Sequence, residues 1–165
     1  MVSTCGWQCC QPQPVALQHS GGAETDRRVA ARSARQQALL GATRIPRIHV
    51  VLDESALRRQ AGGPGVTRRQ MAALAEAAQR PEVTLQVLPF TAGACAGIDG
   101  DFVILAFPDP EDPPVVYAEG LFGDLYLESK EEHDRYDMAW IRLTAQALDP
   151  ASSAALLADL AEDPR

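Results

Sequence analysis

Between residues 83 and 128 the chain is a run of short strand-like segments, and no other feature restricts its fold as much. VTLQVLP (83–89), DFVILAF (101–107), VVYAE (115–119) and DLYLE (124–128) follow one another. In the first, Val83, Leu85 and Val87 alternate with Thr84 and Gln86. That is the period of a strand with one buried face. DFVILAF is nearly continuous in apolar residues and predicts a central strand. The links between segments, such as PDPEDPP and GLFG, are short and rich in Pro or Gly. A parallel crossover needs a dozen or more residues, so the four segments predict an antiparallel meander.

The flanking sequence predicts helices. RIHVVLD (47–53) is a further strand, with Ile48, Val50 and Leu52 on one strongly buried face. Asp53 caps a short turn, ESALRR, and QAGGPG forms a loop. Thr67-Arg-Arg-Gln70 has the spacing of a capping box, which opens a helix through Gln79 with Met71, Leu74, Ala75 and Ala78 inward. Upstream, DRRVAARSARQQALL predicts a helix with Val29, Ala30, Ala34 and Ala38 on its inner side. Ser129-Lys-Glu-Glu132 is a second capping box. The helix it opens, to about Leu148, buries either Tyr136, Trp140 and Leu143 or Met138, Ile141 and Ala145. Asp149-Pro150 reads as an N-cap followed by Pro at the first helical position, with Leu156, Leu157 and Leu160 inward. The predicted class is α+β: an antiparallel β-meander with helices packed against one face, and a C-terminal helical pair.

A chain of 165 residues fits one domain plus tails. Residues 1–23 read as a disordered or unrelated leader and 24–165 as a single domain. No apolar run approaches the ~18 residues of a membrane span. The first residues carry no positive stretch followed by an apolar one, as a secretory signal would. A cytoplasmic location is therefore expected. Charge is unevenly distributed: residues 26–80 hold 11 Arg against 4 acids, and residues 81–165 hold 17 acids against 4 basic residues. The simplest reading pairs the two halves inside one fold. A net charge of −7 argues against direct DNA binding, which needs a net basic face. The helix opened by Thr67 is followed by a strand, so it is not half of a helix-turn-helix.

Candidate chemistry is sparse. CGWQCC places Cys5, Cys9 and Cys10 without a second knuckle, which is not the spacing of a zinc site. Cys95 stands alone in TAGACAGIDG, with no neighbouring His to activate it. Asp99, Asp101 and Glu119 contain a D-x-D but fail the spacing of a calcium loop. Neither a metal nor a cofactor is expected, and no catalytic motif is present. The hydrolase alternative rests on Glu119 and Asp124, which end two strands joined by a short turn and match in composition the paired carboxylates of glycoside hydrolysis.

Four blocks carry a resemblance: RRVAARSARQQALL, HVVLDESALRRQAGG, VTLQVLPFTAGACAGIDGDFVILAFPD and VVYAEGLFGDLYLE. In order and spacing they resemble the domain of unknown function that follows an XRE-type helix-turn-helix in many bacterial transcription regulators. The resemblance runs from Thr25 to the C-terminus. It implies an antitoxin-like regulatory domain, not an enzyme, that binds an effector or a partner. It implies a small partner protein, or a full-length helix-turn-helix regulator, as the companion, with a homodimer as a further option and no membrane. The family offers no catalytic residues to carry over. CGWQCCQPQPVALQHSGG stands where the family has a further helix, and the helix-turn-helix does not precede it. The chain therefore resembles a truncated member whose DNA binding is lost or supplied by a partner.

The candidate binding face comes from strand alternation. Tyr117 shares a face with Glu119, and Tyr126 with Asp124 and Glu128. Tyr117, Glu119, Tyr126 and Glu128 predict one amphipathic face, in which tyrosines give contact area and carboxylates give specificity. Arg58 is the expected charge partner of Glu119.

Overall fold

Val50, Val51 and Leu52 are consecutive and all buried. In a strand, successive side chains point to opposite faces, so the strand that carries them is covered on both. The computed structural model describes residues 2–5, 26–27, 30–31, 33–34, 37–38, 45–60, 62–94, 100–109, 111–120 and 123–162. Its strands are β1 (Val2–Cys5), β2 (Ile48–Asp53), β3 (Val83–Leu88), β4 (Phe102–Leu105), β5 (Val115–Gly120) and β6 (Gly123–Leu127). Its helices are α1 (Glu54–Arg58), α2 (Pro64–Ala77), α3 (Lys130–Gln146) and α4 (Pro150–Glu162). The strands form one sheet in the order β3-β2-β1-β4-β5-β6.

The α+β class and the C-terminal helical pair are as the sequence predicts, and β4-β5-β6 form an antiparallel meander. Val83–Leu88 is not part of that meander. It pairs in parallel with β2 at the far edge, Ile48 opposite Val83 and Asp53 opposite Leu88. The reason is the crossover: α1 and α2 lie between β2 and β3, which returns the chain to the same end of the sheet. Residue alternation records which face is buried, not which strand lies alongside.

Helices cover both faces of the sheet. On one, Val50, Leu52, Leu85 and Val87 meet Leu57, Met71, Leu157 and Leu160. On the other, Val51, Leu88, Phe102, Ile104 and Val116 meet Leu143, with Tyr136 and Trp140 packed alongside. The prediction of helices on one face therefore gives way to a layer on each side. A parallel pair needs this arrangement, because its strands are apolar on both faces. α3 buries the Tyr136, Trp140 and Leu143 set, leaving Met138 and Ile141 about half exposed.

Local signals hold at three helix starts and fail at one. Asp53 caps α1, its Oδ1 accepting from the Ser55 amide at 2.8 Å. Ser129 caps α3, accepting from the Glu132 amide at 3.3 Å while its hydroxyl donates to Glu132 Oε2 at 2.6 Å. Asp149 caps α4, accepting from the amides of Ala151 and Ser152, each at 3.0 Å. Thr67, in contrast, is not a cap. α2 begins at Pro64 with Gly63 as N-cap, and Thr67 lies inside it, its Oγ1 donating to the Gly63 carbonyl at 3.2 Å. Pro at the first position has the helical φ in advance and needs no amide partner. Gly63 sits at φ 86, a conformation that side-chain-bearing residues avoid.

The N-terminal part departs from the loose leader predicted there. Val2–Cys5 form β1, parallel to β2 and antiparallel to β4, so they join the two halves of the sheet. Within 26–38, the described positions are helical, but Ala30, Ala34 and Ala38 are exposed rather than inward. Val29 lies outside the described residues.

Candidate functional site

The antiparallel register fixes what the candidate face looks like. Tyr117 lies opposite Tyr126, Glu119 opposite Asp124, and Val103 of β4 opposite Tyr117. Opposed residues share a face, so Val103, Leu105, Val115, Tyr117 and Tyr126 line the side of the meander away from α3. The first four are half-buried, Tyr126 is 64 % exposed, and none belongs to either buried cluster. The two tyrosine rings stand 5.2 Å apart at an interplanar angle of 49°. This spacing suits a favourable aromatic pair.

The structure brings together part of the predicted set. Tyr117 and Tyr126 meet as expected, and Glu119 is opposed to Asp124 in the strand register. Glu128 follows the last residue of β6 and is exposed. The side chain of Glu119, the charge partner expected for Arg58, lies outside the described residues. Arg58 donates from Nε to Glu54 Oε1 at 2.8 Å, one turn back along α1. α1 continues β2, and β1 and β4 lie between β2 and β5. Three strand spacings of about 4.8 Å separate the two strands. The register sets Glu119 opposite Asp124 beside the hairpin turn. Cys9, Cys10, Cys95 and Asp99 lie outside the described residues. Among those described, no three His, Cys, Asp or Glu cluster as a metal site would require.

Sequence reading missed a buried polar system at the opposite edge. Gln86 is 8 % exposed, and its Nε2 donates to the Leu148 carbonyl at 2.9 Å. Its Oε1 lies 2.7 Å from His49 Nε2, placed to accept from that nitrogen when it carries the proton. The His49 ring also stands edge-on to Trp140, with centroids 4.9 Å apart. Ser153, fully buried, accepts the Val87 amide at 2.9 Å, and the Leu148 amide donates to the Val87 carbonyl at 2.8 Å. The α3–α4 corner therefore occupies the free side of β3. Glu54 is similarly engaged: its second carboxylate oxygen accepts the Phe90 amide at 2.9 Å. These are structural roles. The one available signal was Ser153, a polar residue on the helix face that carries Leu156, Leu157 and Leu160; Gln86 lies on the strand face that alternation assigns to the polar side.

A family profile described as a domain of unknown function, DUF5753, matches residues 15–159. No curated protein and no solved structure is detectably similar to the chain.

Proposed function

The chain belongs to the DUF5753 family, and from that premise we propose that it is a regulatory module that binds a partner protein or an effector. The family itself has no assigned activity, so the reading is supported by the molecule's surface. The observation that carries it is the tyrosine-bearing face of the meander, apolar along Val103, Leu105 and Val115 and bordered by the acids Asp124 and Glu128. Tyrosines supply rigid contact area that is half apolar and half polar, as binding surfaces favour. The four sequence blocks that resemble the domain following an XRE-type helix-turn-helix in bacterial regulators point to a transcriptional setting and an antitoxin-like role. A small companion protein or a helix-turn-helix regulator is the expected partner.

The test is affinity capture from bacterial cytoplasm with the whole chain and with a Tyr117→Ser, Tyr126→Ser variant. Circular dichroism would first verify that the variant is folded. A protein retained by the parent chain and lost by the variant is the expected result. Equal retention by both would move the binding site off this face. Retention of nothing by the parent chain would overturn the protein-partner reading and favour a small-molecule effector.

A further inference from the structure

Among the described residues the β6 edge of the sheet is open, and its side chains suit a second copy of the same strand. We propose that the chain self-associates by antiparallel pairing of β6 with β6 of another copy, centred on Leu125. This goes beyond the partner reading and uses the edge rather than the face. β6 is terminal in the strand order, and Gly123, Asp124, Leu125 and Tyr126 are all exposed. A terminal strand presents a row of backbone donors and acceptors to any added strand. Natural sheets discourage such pairing with charged side chains, Lys above all, with Pro, with a bulge or with a very short strand; β6 is five residues long and carries one charge, Asp124. GDLYL contains neither Lys nor Pro, and its pairing with β5 is unbroken from Gly123 to Leu127.

Register selects the geometry. Antiparallel pairing of identical strands places a two-fold axis perpendicular to the sheet, so each face of one copy continues into the same face of the other. Opposed residues must then share a face, and the axis passes through a residue position. An axis at Tyr126 would set Asp124 opposite Glu128 of the second copy, twice, and like charges directly opposed are destabilising. An axis at Leu125 avoids both clashes. It sets Asp124 opposite the second copy's Tyr126, and Leu125 opposite itself. Leu125 is 58 % exposed in the single chain, and this contact covers it. The pairing also brings both tyrosine faces to one side of a continuous sheet, giving two binding faces in one plane. Five residues bury little area, so the dimer is weak and depends on concentration.

The test is sedimentation velocity over a concentration series with the full chain and four samples: parent, Leu125→Lys, Leu125→Glu, and an equal mixture of the two variants. The expected result is a concentration-dependent dimer for the parent, loss of dimer for each variant alone, and its return in the mixture. Only a residue that faces itself gives that pattern. Tyr126→Lys tests the register, since it faces Asp124 of the other copy and retains the dimer. A parent chain that stays monomeric at millimolar concentration overturns the proposal, as does a Leu125→Lys chain that still dimerises or a mixture that does not. Loss of the dimer in Tyr126→Lys overturns the Leu125-centred register. All of these readings are independent of whether any other protein binds the tyrosine face.

Discussion

The two edges of the sheet are built in opposite ways. At β3, the corner between α3 and α4 fills the free side: Leu148 bonds both ways, its amide to Val87 and its carbonyl to Gln86, and Ser153 takes the Val87 amide. At β6, four of the five residues are exposed. A sheet edge must be covered, blunted or paired, and among the described residues the fold covers one. Polar groups at the buried edge thus serve as seals, whereas the apolar groups at the open edge are where the proposed self-association would act.

The strongest way to break this contrast is to unseal β3. Ser153→Val removes the acceptor of a buried amide and adds bulk to a fully buried position. The expected cost is roughly 2–4 kcal/mol, read as a lower midpoint in urea unfolding. Gln86→Leu keeps the apolar volume but leaves His49 Nε2 and the Leu148 carbonyl without their partner. It is expected to cost about 1–3 kcal/mol in the same assay. At the open edge the same kind of change is nearly silent: Leu125→Lys is expected to stay within about 0.5 kcal/mol of the parent, while abolishing self-association.

The smallest effect concerns acid. Hydrogen bonds from the Ser152 hydroxyl and then its amide hold the Asp149 carboxyl below its ordinary value of 3.8. A carboxyl with a folded pKa below its unfolded one stabilises the fold above the unfolded value. That contribution is lost as pH falls through the folded value. Thermal unfolding measured from neutral pH to below pH 3.8 is expected to show a slightly steeper acid loss for the parent than for Asp149→Asn. Asn still accepts the capping amides but does not titrate.

Much of this architecture was legible in the sequence. Short-range signals read correctly were those whose physics is local: the caps at Asp53, Ser129 and Asp149, the inward leucines of α4, and the face shared by Tyr117 and Tyr126. Thr67 misled because the Thr-x-x-Gln spacing lies within a helix that Pro64 had already started. The parallel placement of β3 was not legible, since alternation is the same in parallel and antiparallel strands. Nor was the role of Val2–Cys5, four residues of ordinary strand propensity that gain meaning only between β2 and β4. The site was half legible. Alternation gave the face shared by the tyrosine pair, but nothing local in ESALRR shows that Arg58 pairs with Glu54 one turn back along α1. The Gln86–His49–Leu148 system joins residues 37 and 62 positions apart, beyond the reach of any local pattern.

Amide hydrogen exchange followed by NMR tests the contrast between the edges most directly. In dilute solution the Val87 amide, held by buried Ser153, is expected to exchange only on global unfolding. The β6 amides that point away from β5 are expected to exchange rapidly, and to slow as the protein concentration rises. A Val87 amide that exchanges as fast as those of β6, or β6 amides fully protected in dilute solution, would contradict the account.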